Sequence, residues 1–376
     1  MTTARARPLH FTNGRRRSDP RTTERNLISS QNLFLFALAA HLPLGVALYN
    51  IGSLALLHPL AVFAWGIKWA TDKTVPLSRV ALPVGYLVAA EVLWRMAKVP
   101  VFWEFGKYGS VAIMTTAILV RGSKAMPVAP TVYFICLIPA CLLTLMTLGF
   151  SESTGPLSSN MSGPLCLTVS GWYFSNLRIS PEQLKNFLMV TGAPLISVAT
   201  VTLFYTATAE NISFNTESNF ATSGGFGPNQ VSTMLGLGLL LAGSLLILFR
   251  QASVIRIVIA IAALFFTTQS MLTFSRSGVY NAIGALAIVL ILSFTNIADG
   301  LKRVIPVALI AAVFILIVFP YLNTFTEGKL QERFEETIRA VQELYSDRGR
   351  LRTRINPVKT FNKETDRMDV LFEIVE

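Results

Sequence analysis

Residues 231–272 read VSTMLGLGLLLAGSLLILFRQASVIRIVIAIAALFFTTQSML, two apolar runs (Val231–Phe249 and Val254–Leu272) parted by a short segment that begins with Arg250. A bilayer's hydrocarbon core is about 30 Å thick and a helix rises about 1.5 Å per residue, so roughly 20 apolar residues cross it. Each run has that length, which predicts two spanning helices joined by a tight basic turn. The pattern repeats outward in both directions. Toward the N-terminus lie Leu33–Tyr49, Ile51–Trp69, Val80–Trp94, Tyr108–Val120, Thr131–Phe150, Pro164–Phe174 and Phe187–Thr206; toward the C-terminus lie Val279–Phe294 and Val304–Leu322. The expectation is an all-α polytopic membrane protein with eleven transmembrane helices.

Composition agrees. The chain has 376 residues, 52% of them hydrophobic and 14% charged. A soluble domain carries about 25% charged residues, so this chain lacks the polar surface to coat a water-soluble globule. That excludes most soluble enzymes and a disordered chain. The net charge of +11 would point to nucleic acid on a soluble protein, but here the basic residues fall between apolar runs, where they set orientation. Nucleic acid is therefore not an expected partner, and the lipid bilayer is. Cys136, Cys141 and Cys166 all sit in apolar stretches without metal-ligand spacing, which reads as small core hydrophobes with no metal site.

Residues 1–30 form a basic tail with seven arginines up to Arg25, expected to be flexible and cytoplasmic. Counting spans from there, Lys68 with Lys73 and Arg79, Arg121 with Lys124, Arg178 with Lys185, Arg250, and Lys302 with Arg303 all fall inside, as the positive-inside rule requires. The outer loops are then Arg95–Tyr108, Ser151–Gly163, Thr208–Gln230, Thr273–Gly278 and the chain after Asn323. The division is a tail (1–30), a helix bundle (31–322), a periplasmic loop with an amphipathic helix (323–350) and an atypical tail (351–376). The helix is expected over Glu327–Tyr345, where Leu330, Phe334, Ile338, Val341 and Leu344 recur three or four apart. Beyond Leu351 no stable periodicity is found.

Four clusters on the outer side could carry chemistry. Gly224-Gly225-Phe226-Gly227-Pro228-Asn229 lies where a helix begins; glycines let a ligand approach the backbone, and exposed N–H groups at a helix start attract phosphate. The same residues also make an ordinary flexible helix start. Ser275-Arg276-Ser277 offers one guanidinium and two hydroxyls; it either snorkels to water or clamps a pyrophosphate. Asp347-Arg348-Gly349-Arg350 follows the amphipathic helix and alone is an ordinary charged turn. Glu91 and Arg95, four apart, can pair on one helix face; Glu104 and Lys107 could line a sugar-binding entrance, with Trp103 and Tyr108 offering flat faces to a pyranose. His41 and His58, each near a proline, read as helix-end or packing histidines.

In that order and on one face, FGPN (Phe226–Asn229), TFSRSG (Thr273–Gly278) and Gly349-Arg350 after a periplasmic helix resemble the O-antigen ligase and O-antigen polymerase family, and WEFGKY (Trp103–Tyr108) is similar to its exopolysaccharide polymerases. The resemblance implies a GT-C-like glycosyltransferase in the bacterial inner membrane, N-terminus cytoplasmic, that polymerises or ligates glycan repeat units carried on undecaprenyl pyrophosphate at the periplasmic face. It implies no cofactor, and a chain-length regulator or other polysaccharide-assembly protein as partner. Arg276 with Arg350 or Arg348 would clamp the pyrophosphate, Asn229 would orient the loop or the lipid head group, and Gly227, Ser275, Ser277, Glu104 and Lys107 would join Asn229 in binding substrate. Past Arg350 the family's tryptophan-containing helix, Gly-rich stretch and histidine segment have no counterpart, as in a truncated or frame-shifted member. The alternatives are a polysaccharide or lipid transporter or flippase, and an inactive family member.

Overall fold

The computed structural model describes residues 20–122, 125–210, 212–249, 253–293, 297–347, 354–362 and 367–375. Up to residue 347 they are helices and their connections. The first seven helices are α1 (Pro20–Asn50), α2 (Gly52–Thr71), α3 (Leu77–Met96), α4 (Phe105–Arg121), α5 (Val128–Ser175), α6 (Pro181–Thr208) and α7 (Pro228–Leu248). Then come α8 (Ser253–Leu272), α9 (Ser277–Ser293), α10 (Ile297–Val313), α11 (Phe319–Phe325) and α12 (Lys329–Asp347). Over their described residues the apolar runs lie in helices, apart from Ile51 and Phe249 at the ends of two of them. Seven helices among the described residues are long and apolar enough to cross a membrane, and Leu35–Asn50 and Ser277–Ser293 are shorter apolar helices.

Three expectations need correction. The stretch Ser151–Gly163 is not a loop. It continues α5, whose 48 residues double back at Gly149 (φ 75°, ψ 166°). The return is visible in the pairing of its ends: Thr168 donates to the Pro130 carbonyl at 3.0 Å and Trp172 Nε1 to Thr131 Oγ1 at 2.8 Å. Only glycine takes that φ without strain. The serines and threonines that suggested a polar loop instead bond back to helix carbonyls, as Thr154 does to Ser151 and Ser162 to Ser159. Secondly, the basic tail is helical from Pro20, where α1 begins; residues 1–19 lie outside the described residues. Thirdly, the C-terminal tail forms an antiparallel hairpin, β1 (Arg354–Asn362) with β2 (Arg367–Val375), an exception to the all-α expectation.

Local signals set the ends. Ser180 and Gln183 form a reciprocal capping box (3.2 and 2.9 Å) with Pro181 at the first position of α6. Pro228 opens α7 in the same way. Between α10 and α11 a π-helical turn at Phe314–Val318 precedes Pro320, which has no N–H to offer the ladder.

Two cores hold the bundle. One joins α1, α3, α6, α7, α8 and α9 around Leu93, Leu195, Leu235 and Phe266; the other joins α2, α3, α4 and the second half of α5 around Leu87, Ile113 and Tyr173. We call the end that holds the turn at Gly149 the upper end. At the lower end the Arg121 guanidinium donates to four carbonyls, of Trp69 (3.0 Å), Ala70 (2.7 Å), Asp72 (2.6 Å) and Val75 (2.9 Å). It thus caps the C-terminus of α2, where carbonyls lack helical partners and a cation is favoured. Arg121→Ala is expected to lower stability by about 2 kcal/mol, charge-assisted hydrogen bonds being worth about that, read as a drop in Tm in detergent; an unchanged Tm would show the cap to be dispensable.

Candidate functional site

The upper end of α3 ends at Met96, with Lys98 in the left-handed region (φ 52°) stopping the helix, and the chain returns through residues 97–104 to α4. That short return puts Trp103 and Glu104 beside the last turn of α3. Arg95 is the hub. Its Nη2 donates to a Glu91 oxygen and to the Trp103 carbonyl (2.9 Å), its Nη1 donates to Gln230 Oε1 (2.9 Å), and its guanidinium lies 4.3 Å from the centre of the Trp103 ring. Gly106 makes room for Glu91, because a Cβ there would meet Glu91 Oε2 at 2.5 Å.

Glu104 is buried. It receives the Ser159 hydroxyl at 3.4 Å, and Lys107 Nζ stands 3.7 Å from it while also reaching Ser162 Oγ at 3.3 Å. Its second oxygen is 4.0 Å from Arg95 Nη2 and has no hydrogen-bond partner, nor has Arg95 Nε. Two carboxylates thus share one guanidinium and one ammonium. Buried polar atoms without partners call for an explanation, and for Arg95 Nε, whose side chain is in a cavity wall, the natural one is a ligand or water that completes it.

The cavity is there. It has a volume of about 330 Å³ and is walled by Glu91, Arg95, Lys98, Phe102, Trp103 and Phe226, with Trp94 and Phe105 among the remaining wall residues. Phe102 and Trp103 are both 56% exposed. Glu104 and Lys107, expected at an entrance, instead stand behind the wall between α4 and α5. Glu91, expected only to pair with Arg95, is the carboxylate at the cavity. Tyr108 turns away and donates to the Ser158 carbonyl at 2.9 Å.

The second strip of the upper end is the segment 209–227. Gly224 and Gly225 are both left-handed (φ 68° and 69°), and they turn the chain so that Phe226 faces Trp103, ring centres 6.1 Å apart. Gly227 caps α7, and Asn229 is exposed on its first turn. Asn219, buried, ties this segment to the next: its N–H donates to the Thr273 carbonyl at 2.9 Å and its Nδ2 to that of Ser213 at 3.1 Å.

The third strip is the turn 273–276. Phe274 (φ 57°) is buried and stacks on Phe214, 5.8 Å between centres. Ser275 is buried, Arg276 half-buried and Ser277 exposed, with the two serine hydroxyls 3.1 Å apart. Helix α12 lies against this turn through Leu330 and Phe334, and Arg333 Nε donates to the Phe274 carbonyl at 3.4 Å. Arg348 and Arg350 lie outside the described residues, so of the expected clamp, Arg276 with Arg350 or Arg348, only Arg276 is described.

Sequence reading missed Gln230, Asn219 and Arg333. Gln230 follows the FGPN motif directly, and Arg333 lies between the two apolar anchors of α12. Among the described residues no group of three or more His, Cys, Asp or Glu could hold a metal ion, and the three cysteines are unpaired with one another. Comparison with family models, with curated proteins and with solved structures finds no match.

Proposed function

We propose that the chain is a membrane glycosyltransferase that polymerises or ligates glycan repeat units carried on undecaprenyl pyrophosphate, with the upper end facing the periplasm of a bacterial inner membrane. In this reading the eleven apolar runs cross as a GT-C-like bundle. The observation that carries it is the cavity at the upper end, where a carboxylate, two cations and exposed aromatic faces meet. Aromatic faces take the apolar side of a pyranose, and a few polar groups orient its hydroxyls.

The reaction needs little more from the protein than position and charge. An acceptor hydroxyl attacks the anomeric carbon, and the carbon–oxygen bond to the diphosphate breaks with its electron pair leaving on the diphosphate. The hydroxyl proton passes to a carboxylate, a role that suits Glu91 at the wall. Charge grows on the departing diphosphate, where Arg276, with Arg348 or Arg350, would stabilise it. Ser275 and Ser277 would hydrogen-bond its remaining oxygens, and Asn229 with Gly227 would orient the lipid head group.

The test is expression in a polymerase-null and a ligase-null strain, read as glycan banding on a gel. The expected result is restored banding in one background, abolished by Arg276→Ala at unchanged membrane level. Unrestored banding in both backgrounds, or normal banding with Arg276→Ala, would overturn the reading.

A further inference from the structure

One chain of hydrogen bonds links three helices through groups that the proposed reaction does not use. Trp94 Nε1 donates to His58 Nδ1 at 2.9 Å. His58 Nε2 lies 3.0 Å from the Tyr86 hydroxyl, which lies 2.9 Å from His41 Nε2, and His41 Nδ1 lies 2.6 Å from the Ala37 carbonyl. The two ends fix every proton between them. An indole N–H can only donate, so His58 Nδ1 is bare; a carbonyl can only accept, so His41 Nδ1 carries its hydrogen. With both rings neutral, His58 Nε2–H donates to Tyr86, and Tyr86 O–H donates to the bare His41 Nε2. This tautomer assignment follows from donor counting. All four donors have acceptors.

One more proton breaks this pattern wherever it lands. On His58 Nδ1 it faces the Trp94 N–H, donor against donor, and that bond is lost. On His41 Nε2 it leaves the Tyr86 hydroxyl with a donor on both sides. The sequence suggested packing histidines, and in the neutral state they are that; the charged state is a different arrangement.

The array sits in the membrane region yet touches the cavity. At about 1.5 Å per residue, His58 lies about 9 Å, His41 about 13 Å and Tyr86 about 15 Å below the upper ends of their helices. Trp94, 2% exposed, is part of the cavity wall and packs edge-on against Phe105 at 5.8 Å. His41, Tyr86 and His58 are half-buried, and the route from water to His58 runs through the cavity, whose wall includes its partner Trp94. The titratable groups that meet His58 are Tyr86 of α3 and, through it, His41 of α1. Glu91 and Arg95 of α3 pair with each other at the rim, and Glu104 pairs with Lys107 on α4. Described side chains of α1 from Leu35 to Asn50 include no other charged group, and Glu182 with Lys185 of α6 and Lys68 of α2 belong to the lower end.

We propose that the Trp94–His58–Tyr86–His41 chain is a proton-binding site that couples acidification to movement of the cavity wall. The proton comes from water and adds to His58 Nδ1; no covalent bond other than that N–H forms, and the Trp94 hydrogen bond breaks. Freed of His58, Trp94 shifts in the wall. Coupling between two sites is reciprocal, so a ligand that displaces Trp94 would raise the proton affinity of His58. The coupling needs only that Trp94 walls the cavity, and it stands whether or not a saccharide occupies it.

The test uses the full chain in lipid nanodiscs without ligand. Tryptophan emission is recorded from about pH 8 to about pH 3, a range that brackets free and buried histidines, for wild type and for Trp94→Phe, and the difference isolates Trp94 from the other four tryptophans. The expected result is a step in which Trp94 emission weakens beside the imidazolium and its maximum moves to longer wavelength. His58→Gln keeps an acceptor for Trp94 and a donor for Tyr86 but does not titrate, so it should abolish the step at unchanged Tm. No step in wild type, a step that survives His58→Gln, or weakening without a shift of the maximum would each overturn the proposal. If His58→Gln fails to fold, His41→Gln decides: it leaves His58 and its Trp94 partner in place, so the step and its red shift should persist, and their loss would overturn the assignment of the proton to His58.

Discussion

Gly278→Val should leave little folded protein, although its neighbours Ser275, Arg276 and Ser277 invite the reading that any loss of function there is chemical. Helices α7 and α9 touch backbone to backbone. A Cβ on Gly278 would run into the Ser232 carbonyl, and one on Gly236 into the Gly278 carbonyl. Ser232 and Gly236 stand four apart on α7, the small-residue spacing that lets membrane helices approach closely. A flexible side chain can yield to an intruding methyl, but a carbonyl in a helix cannot.

The helices would have to separate. That would also break the Ser232 hydroxyl's bonds to Ser270 Oγ and the Ser275 carbonyl, both at 2.9 Å. Overpacking typically costs about 1–3 kcal/mol, and each lost hydrogen bond adds about 1 kcal/mol, so the total should exceed about 3 kcal/mol. The control lies on the same helix: Gly284 has nothing within 4 Å of its Cβ position, so Gly284→Val should fold normally. Size-exclusion profile and Tm in detergent decide it. A Gly278→Val protein that matches Gly284→Val would mean that α7 and α9 do not meet this closely.

The bundle was legible because a bilayer imposes a length, and the apolar runs meet it whatever packs against them. Side-chain periodicity adds little in the first half of α5 or in α10, whose most apolar stretches bury none of their residues in the bundle. The doubling back at Gly149 was hidden because Ser, Gly and Pro read as a loop in water. In a helix the same hydroxyls are satisfied by the carbonyls three or four residues back. In the C-terminal hairpin, Pro357 weakened the strand signal of β1, since proline cannot donate to a ladder.

At the site, local spacing gave what lies within one helical turn and nothing beyond it. Glu91 with Arg95 was readable at four residues' spacing, whereas the Arg95–Gln230 bond joins positions 135 apart. Trp94, His58, Tyr86 and His41 come from three helices and share no motif. Only packing brings them together.

Arg95 carries the other large expected effect. Glu91 and Glu104 are 9% and 4% exposed, and among the described residues Arg95 is the one guanidinium that stands near both. Arg95→Gln would leave Glu91 as a buried carboxylate without its cation, while Glu104 keeps Lys107. Breaking a buried pair by removing one partner costs about 3–5 kcal/mol, and the stacking on Trp103 and the bond to Gln230 go with it. Arg95→Lys should recover part of this loss at most. A single ammonium cannot serve Glu91, the Trp103 carbonyl and Gln230 at once in the way a planar fork does.

The informative variant is the pair Glu91→Gln with Arg95→Gln. Replacing both partners by neutral groups of similar shape removes the uncompensated charge, so Tm should return most of the way to wild type. If Glu91 also receives the acceptor proton, glycan banding should not return with it, because an amide cannot take that proton. Recovery of both Tm and banding would leave the pair as a structural brace and move the base elsewhere. A native Tm for Arg95→Gln alone would show that water already screens these carboxylates more than their burial implies.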